Sequence, residues 1–153
     1  MIYRFQYTAY IRSGFDINSI LSQADSEAKE CVKNGDCITI ALFRYENILF
    51  LYLESTSDTV FAGDIIPSVT ECMDGNWLSM ENVYYTSIPS DEKYWSRTCD
   101  KIRLGRIGHL VPDKKQSYIN YHKAIMKEGL FEGDKYLYIG LYGNTLFLYS
   151  ESP

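Results

Sequence analysis

From residue 2 to residue 10 the chain alternates strictly. Tyr3, Phe5, Tyr7 and Ala9 fall on one side, and Arg4, Gln6, Thr8 and Tyr10 on the other. A period of two is the mark of a half-buried strand. Ser13 and Gly14 then turn the chain, and Asn18 or Ser19 caps a helix that places Leu21, Ala24, Ala28, Cys31 and Val32 on one side. Asn34-Gly35 ends that helix. The runs 37–43 (CITIALF) and 48–54 (ILFLYLE) predict two strands joined by a short turn at Arg44–Asn47.

Residues 55–65 are polar and read as a loop. Pro67, Gly75 and Asn76 interrupt 66–81, leaving a short predicted helix near 67–73. Residues 82–88 (NVYYTSI) predict a fourth strand, which closes a ferredoxin-like β-α-β-β-α-β unit over residues 1–95. Residues 89–101, with Pro89, Ser90 and many charges, read as a linker. The pattern then restarts: a strand over 102–111, a helix over 113–128, and a hairpin of 135–142 and 145–151 across Gly143-Asn144.

The restart is also visible in the letters. With Asn47 placed over Asn144, Tyr45 meets Tyr142, the run Leu49–Tyr52 meets Leu146–Tyr149, and Glu54-Ser55 meets Glu151-Ser152. The predicted fold is therefore α+β with an internal duplication: a full ferredoxin-like unit, then a truncated β-α-β-β unit over 102–153. Their antiparallel sheets are expected to pack face to face as a dimeric-α+β-barrel-like pseudo-dimer, in one compact structural domain. A homodimer is a further expectation, since a second copy could complete the barrels of a chain that holds one and a half units.

Composition narrows the function. The chain has 153 residues, 46% of them hydrophobic, enough for a core without disulfides or metal. Its formal charge of −5 argues against nucleic acid and anionic membranes as partners. The N-terminus lacks a signal-peptide layout and no apolar run reaches a membrane-spanning length. Cys31, Cys37, Cys72 and Cys99 form no CxxC pair and do not cluster with the two histidines, so no metal is expected and a cytoplasmic location suits the free thiols. Fourteen tyrosines point to a polar aromatic cavity of the kind that takes a carbohydrate.

The stretch Leu110–Met126 carries the densest chemistry. Pro112 fits a first helical turn, Asp113 sits at the positive end of the helix dipole, and Gly129 stops the helix. Tyr118, Tyr121, His122, Ile125 and Met126 recur at helical spacing, so a Tyr and a His are expected one turn apart on an inward face. The run Pro112-Asp113, four residues, Tyr118, three residues, His122 is similar to the strand-to-helix entry of the L-rhamnose mutarotase family, and LFLYSE resembles that family's third strand. The resemblance covers 102–152 by motif and 1–95 by topology. It implies a dimeric α+β barrel that interconverts sugar anomers without cofactor or metal, with His122 as proton carrier and Tyr118 as its neighbour. Two features depart from the family: Tyr121 stands where it has a basic residue, and its paired tryptophans have only Trp77 and Trp95 to correspond to here.

Anomer exchange opens a hemiacetal and closes it on the other face. It needs an acid and a base that work near neutral pH, where a His is the natural choice, and His122 is the expected donor to the ring oxygen. Glu151 is the expected base, because Phe147, Tyr149 and Glu151 share one face of the last strand; Tyr52 and Glu54 repeat that face in the first copy. Tyr149, Tyr121, His109, Glu54, Tyr52 and Trp77 are the expected sugar-binding residues. Two other readings stand beside this one. The barrel has lost catalysis and binds a ligand or partner, or it runs another reaction of its class, such as a monooxygenase's or haem degradation.

Overall fold

The computed structural model describes residues 1–129 and 134–152. It is α+β, with two four-stranded antiparallel sheets and five helices. Backbone contacts divide the chain into Met1–Ser79 and Met80–Pro153; the four residues after Gly129, and Pro153 at the end of the expected second unit, lie outside the description. No helix among the described residues is long and apolar enough to cross a membrane.

In the first unit β1 (Tyr3–Ile11) leads through a 3-10 turn, Ile17–Ile20, into α1 (Leu21–Lys33). The turn is capped by Asp16, whose carboxylate accepts from the Asn18 N–H at 3.0 Å, in place of the expected Asn18 or Ser19. Then follow β2 (Thr39–Tyr45), β3 (Ile48–Ser55), α2 (Ala62–Ile65), α3 (Pro67–Thr70) and β4 (Met73–Ser79). The order β2-β3-β1-β4, antiparallel throughout, is compatible with a ferredoxin-like arrangement. Ala9, Ile11, Leu49, Leu51 and Leu53 form a core with Ala24, Ile66 and Val69 from the helices. The expected helical stripe is narrower than its letters: Ala24 and Cys31 are buried, whereas Leu21 and Val32 are exposed at its margins.

β4 was not expected. Gly75 and Asn76 read as a break, but the structure absorbs those residues in a bulge: Thr8 pairs with Leu78 while Tyr10 pairs with Asp74. Gly75 supplies the left-handed backbone there, at φ +85. The expected polar loop and single helix over 55–73 are corrected to α2 and α3, kinked apart at Ile66 before Pro67.

With β4 closing the first sheet, the strand expected at 82–88 goes elsewhere. It forms as β5 (Glu81–Tyr85) and pairs with β7 in the second sheet. The second unit continues through α4 (Glu92–Trp95), β6 (Ile102–His109), a 3-10 turn at Pro112–Lys114, α5 (Lys115–Glu128), β7 (Tyr138–Tyr142) and β8 (Thr145–Ser152). The order is β5-β7-β8-β6. This sheet therefore has four strands, the fourth supplied from the N-terminal side of its β-α-β-β run. The expected linker at 89–101 is also corrected, for it holds α4 and the fully buried Trp95.

Candidate functional site

Pro112 opens the helical segment as expected and Gly129 closes it, with φ +71 and its N–H donating to the Met126 carbonyl at 3.3 Å. Ile119 is the buried anchor of α5, packed in a cluster with Val83, Ile139 and Leu141 and with the partly buried Tyr84, Tyr118, Leu146 and Leu148. At 100° per residue Tyr121 lies 200° from Ile119, and it is 66% exposed. The expectation of an inward Tyr121 is thus corrected: the helix turns Ile119 to the sheet, and Tyr121 points away.

His122 is half-buried among aromatic rings. Its ring centroid lies 4.1 Å from that of Tyr118, 5.1 Å from Tyr84 and 5.5 Å from Tyr121, the last two edge-on. His122 Nδ1 lies 2.9 Å from the Tyr118 carbonyl oxygen. A carbonyl only accepts, so the contact places the proton on Nδ1, and in the neutral ring Nε2 carries the free lone pair. Burial raises the Tyr118 pKa, so its phenol stays protonated. Tyr84 was missed because it comes from β5, whose place in this sheet the sequence pattern does not reveal.

Glu151 belongs to a different group. On β8 the side chains alternate: Leu146 and Leu148 join the cluster under α5, while Phe147, Tyr149 and Glu151 are buried on the other face. The sheet therefore stands between Glu151 and His122. Arg97 grips both Glu151 oxygens through Nε at 2.9 Å, and the Tyr149 hydroxyl donates to Oε1 at 2.6 Å. Burial opposes ionisation of Glu151. The hydrogen bonds from Arg97 and Tyr149, with the charges of Arg97 and Arg103, outweigh it and hold the carboxyl below its ordinary range. The Arg97 guanidinium lies 4.1 Å over the Tyr136 ring, and the Tyr136 hydroxyl donates to the Trp95 carbonyl at 2.9 Å. Neither Arg97 nor Tyr136 was expected at a site; the only signal was their chemistry, in segments read as a linker and a plain strand.

The first sheet has the same motif. The Tyr52 hydroxyl donates to Glu54 Oε1 at 2.6 Å and accepts from Arg4 Nε at 2.9 Å. Arg4 stands opposite Glu54 across β1 and β3, as Arg103 stands opposite Glu151 across β6 and β8. Trp77 also lies in the first unit, packed against its core with Nε1 buried and without a hydrogen-bond partner. His109 is exposed at the end of β6, opposite Thr145. Seven of the nine expected site residues thus fall into three groups, without Trp77 and His109: Tyr118, Tyr121 and His122 together; Tyr149 with Glu151; Tyr52 with Glu54.

A cleft of about 920 Å³ opens in the first unit beside α1, lined among others by Glu27, Glu30, Cys31 and Phe61; it contains none of the expected site residues. Among the described residues no three His, Cys, Asp or Glu side chains gather in a way that could hold a metal ion. No protein-family model, curated protein or solved structure matches the chain.

Proposed function

We propose that the protein is a cofactor-free, mutarotase-like sugar isomerase in which His122 moves the proton. The observation that carries this reading is the hydrogen bond from His122 Nδ1–H to the Tyr118 carbonyl, which leaves Nε2 as a base among aromatic rings. Flat rings suit the apolar faces of a sugar. Nε2 takes the proton of the anomeric hydroxyl, and the imidazolium so formed gives it to the ring oxygen as the C1–O bond opens. One nitrogen serves both steps in turn because both oxygens are bonded to C1. Rotation about C1–C2 and the reverse transfers close the ring on the other face and return His122 to its neutral form. The protonated Tyr118 hydroxyl orients the sugar. Glu151, held by Arg97 and Tyr149, keeps a structural part.

The finer description of the fold belongs to the same reading. The matched Arg-Tyr-Glu registers of the two sheets support a duplicated unit. The four free cysteines suit a reducing cytoplasm.

Saturation-transfer NMR on a panel of reducing sugars tests the reaction. Accelerated anomer exchange for one sugar, lost in His122→Ala, is expected. Exchange that is no faster than in buffer for every sugar, or that survives His122→Ala, would reject it and leave the binding-module reading.

A further inference from the structure

β6 holds the position in the second sheet that β1 holds in the first: each leads through a helix to a strand two places away, with one strand inserted between them. The outer edge of β1 is covered by β4. Among the described residues, no strand lies beyond the outer edge of β6. The Leu110 N–H donates to the Asn144 carbonyl in the same register as the β6–β8 ladder, which fixes the alternation. Even-numbered residues of β6 bond to β8, and the backbone N–H and C=O groups of Gly105, Ile107 and His109 point outward.

This edge has little to protect it. The β6–β8 register has no shift, like that of the edge strand β2, whereas the edge strands β4 and β5 are both bulged. β6 has no proline and eight continuous residues. An edge of this kind is a template for another strand. Its helix-side face is open as well. α5 packs against β5 at the far side of the sheet, leaving Ile102 and Leu104, 64% and 40% exposed, next to exposed Arg106.

Charge selects the occupant. Besides Arg103, whose charge already acts on Glu151, residues 101–109 carry Lys101 and Arg106 and no carboxylate, in a chain of net charge −5. Two β6 strands paired about a two-fold axis would bring these cations together, which is destabilising. We propose that β6 is a docking edge for an extended acidic–apolar segment of another protein, added antiparallel as β4 is added to β1. Reading along that segment, an acidic residue lies beside Arg106, and apolar residues at the second and fourth positions after it lie beside Leu104 and Ile102. Outward backbone groups supply affinity and this alternation supplies specificity. The docking edge is independent of whether His122 is catalytic.

Fluorescence anisotropy with a labelled peptide Ser-Glu-Thr-Val-Thr-Val-Thr-Ser tests it on the full chain. Saturable binding is expected, weakened about tenfold or more by Arg106→Glu, a change on an exposed side chain. The same peptide with Lys for Glu is expected to prefer the Arg106→Glu chain, a charge-swap rescue that simple misfolding would not give. Absence of binding at the highest soluble concentration, or equal binding by both chains, would overturn the proposal. A chain that sediments as a dimer, dissociated by Leu104→Asp, would overturn it in favour of a second copy.

Discussion

Tyr149 donates its hydroxyl to Glu151, two residues further along the same strand, at 2.6 Å. Residues i and i+2 of a strand share a face, so the phenol reaches forward to a carboxylate that the sheet keeps dry. Burial raises the Tyr149 pKa first, and the Glu151 hydrogen bond and charge raise it further, so the phenol remains a donor. Tyr52 and Glu54 repeat the relationship at the same distance.

Because Glu151 is buried, its partners matter unequally. Tyr149→Phe removes one neutral donor and is expected to cost about 1–3 kcal/mol. Arg97→Met strands the carboxylate without its ion pair and is expected to cost about 3–5 kcal/mol. Urea denaturation of both variants at neutral pH gives the order directly; a smaller loss for Arg97→Met than for Tyr149→Phe would contradict the described grip.

The lowered Glu151 pKa sets a pH dependence. A carboxyl whose folded pKa lies below its unfolded value stabilises the fold above the unfolded value, and loses that contribution as pH falls through the folded one. The stability gap between wild type and Glu151→Gln is expected to be flat near neutrality. It should shrink only as pH drops below the ordinary value of 4.5. A gap that closes above that value would mean a raised pKa.

The orientation of α5 predicts a contrast between two neighbours. Ile119→Ala opens a cavity in the second cluster and is expected to cost about 2–5 kcal/mol. Tyr121→Ala, on the outward side, is expected to change stability by less than about 0.5 kcal/mol. Thermal unfolding of the pair would expose a helix turned the other way, since the order would invert.

Gly75 tests the bulge that hid β4. No atom lies within 4 Å of a Cβ built there, so Gly75→Ala meets no clash; its cost is that of holding φ at +85, about 1–2 kcal/mol. A neutral or stabilising Gly75→Ala by chemical denaturation would mean that the bulge relaxes.

β1 was legible from its strict alternation, and β3, β6 and β8 as strand-forming runs; all four fall within a residue or two of the expected bounds. α5 was legible from Pro112 and Gly129. β4 was not, because Asp74, Gly75 and Asn76 carry turn chemistry into a strand that tolerates them only through its bulge. β5 was legible as a strand but not by sheet: its partner β7 lies 53 to 60 residues away, and local alternation does not encode that choice. The site shows the same limit. The neighbourhood of Tyr118 and His122 is local to one helix and could be read. Arg97 converges on Glu151 across 54 residues, and Asp134 reaches its backbone N–H across 17, through contacts that only the closed sheet creates.

Buried Glu54 also guards alignment during folding. It sits on a central strand whose opposite face, at Leu49, Leu51 and Leu53, belongs to the aliphatic core. A slip of one residue would turn every side chain over and drive its carboxyl group, parted from its phenol, in among leucines. An apolar strand could misalign at small cost and persist. This strand carries a polar penalty against the error, so a misaligned hairpin is driven to open and try again.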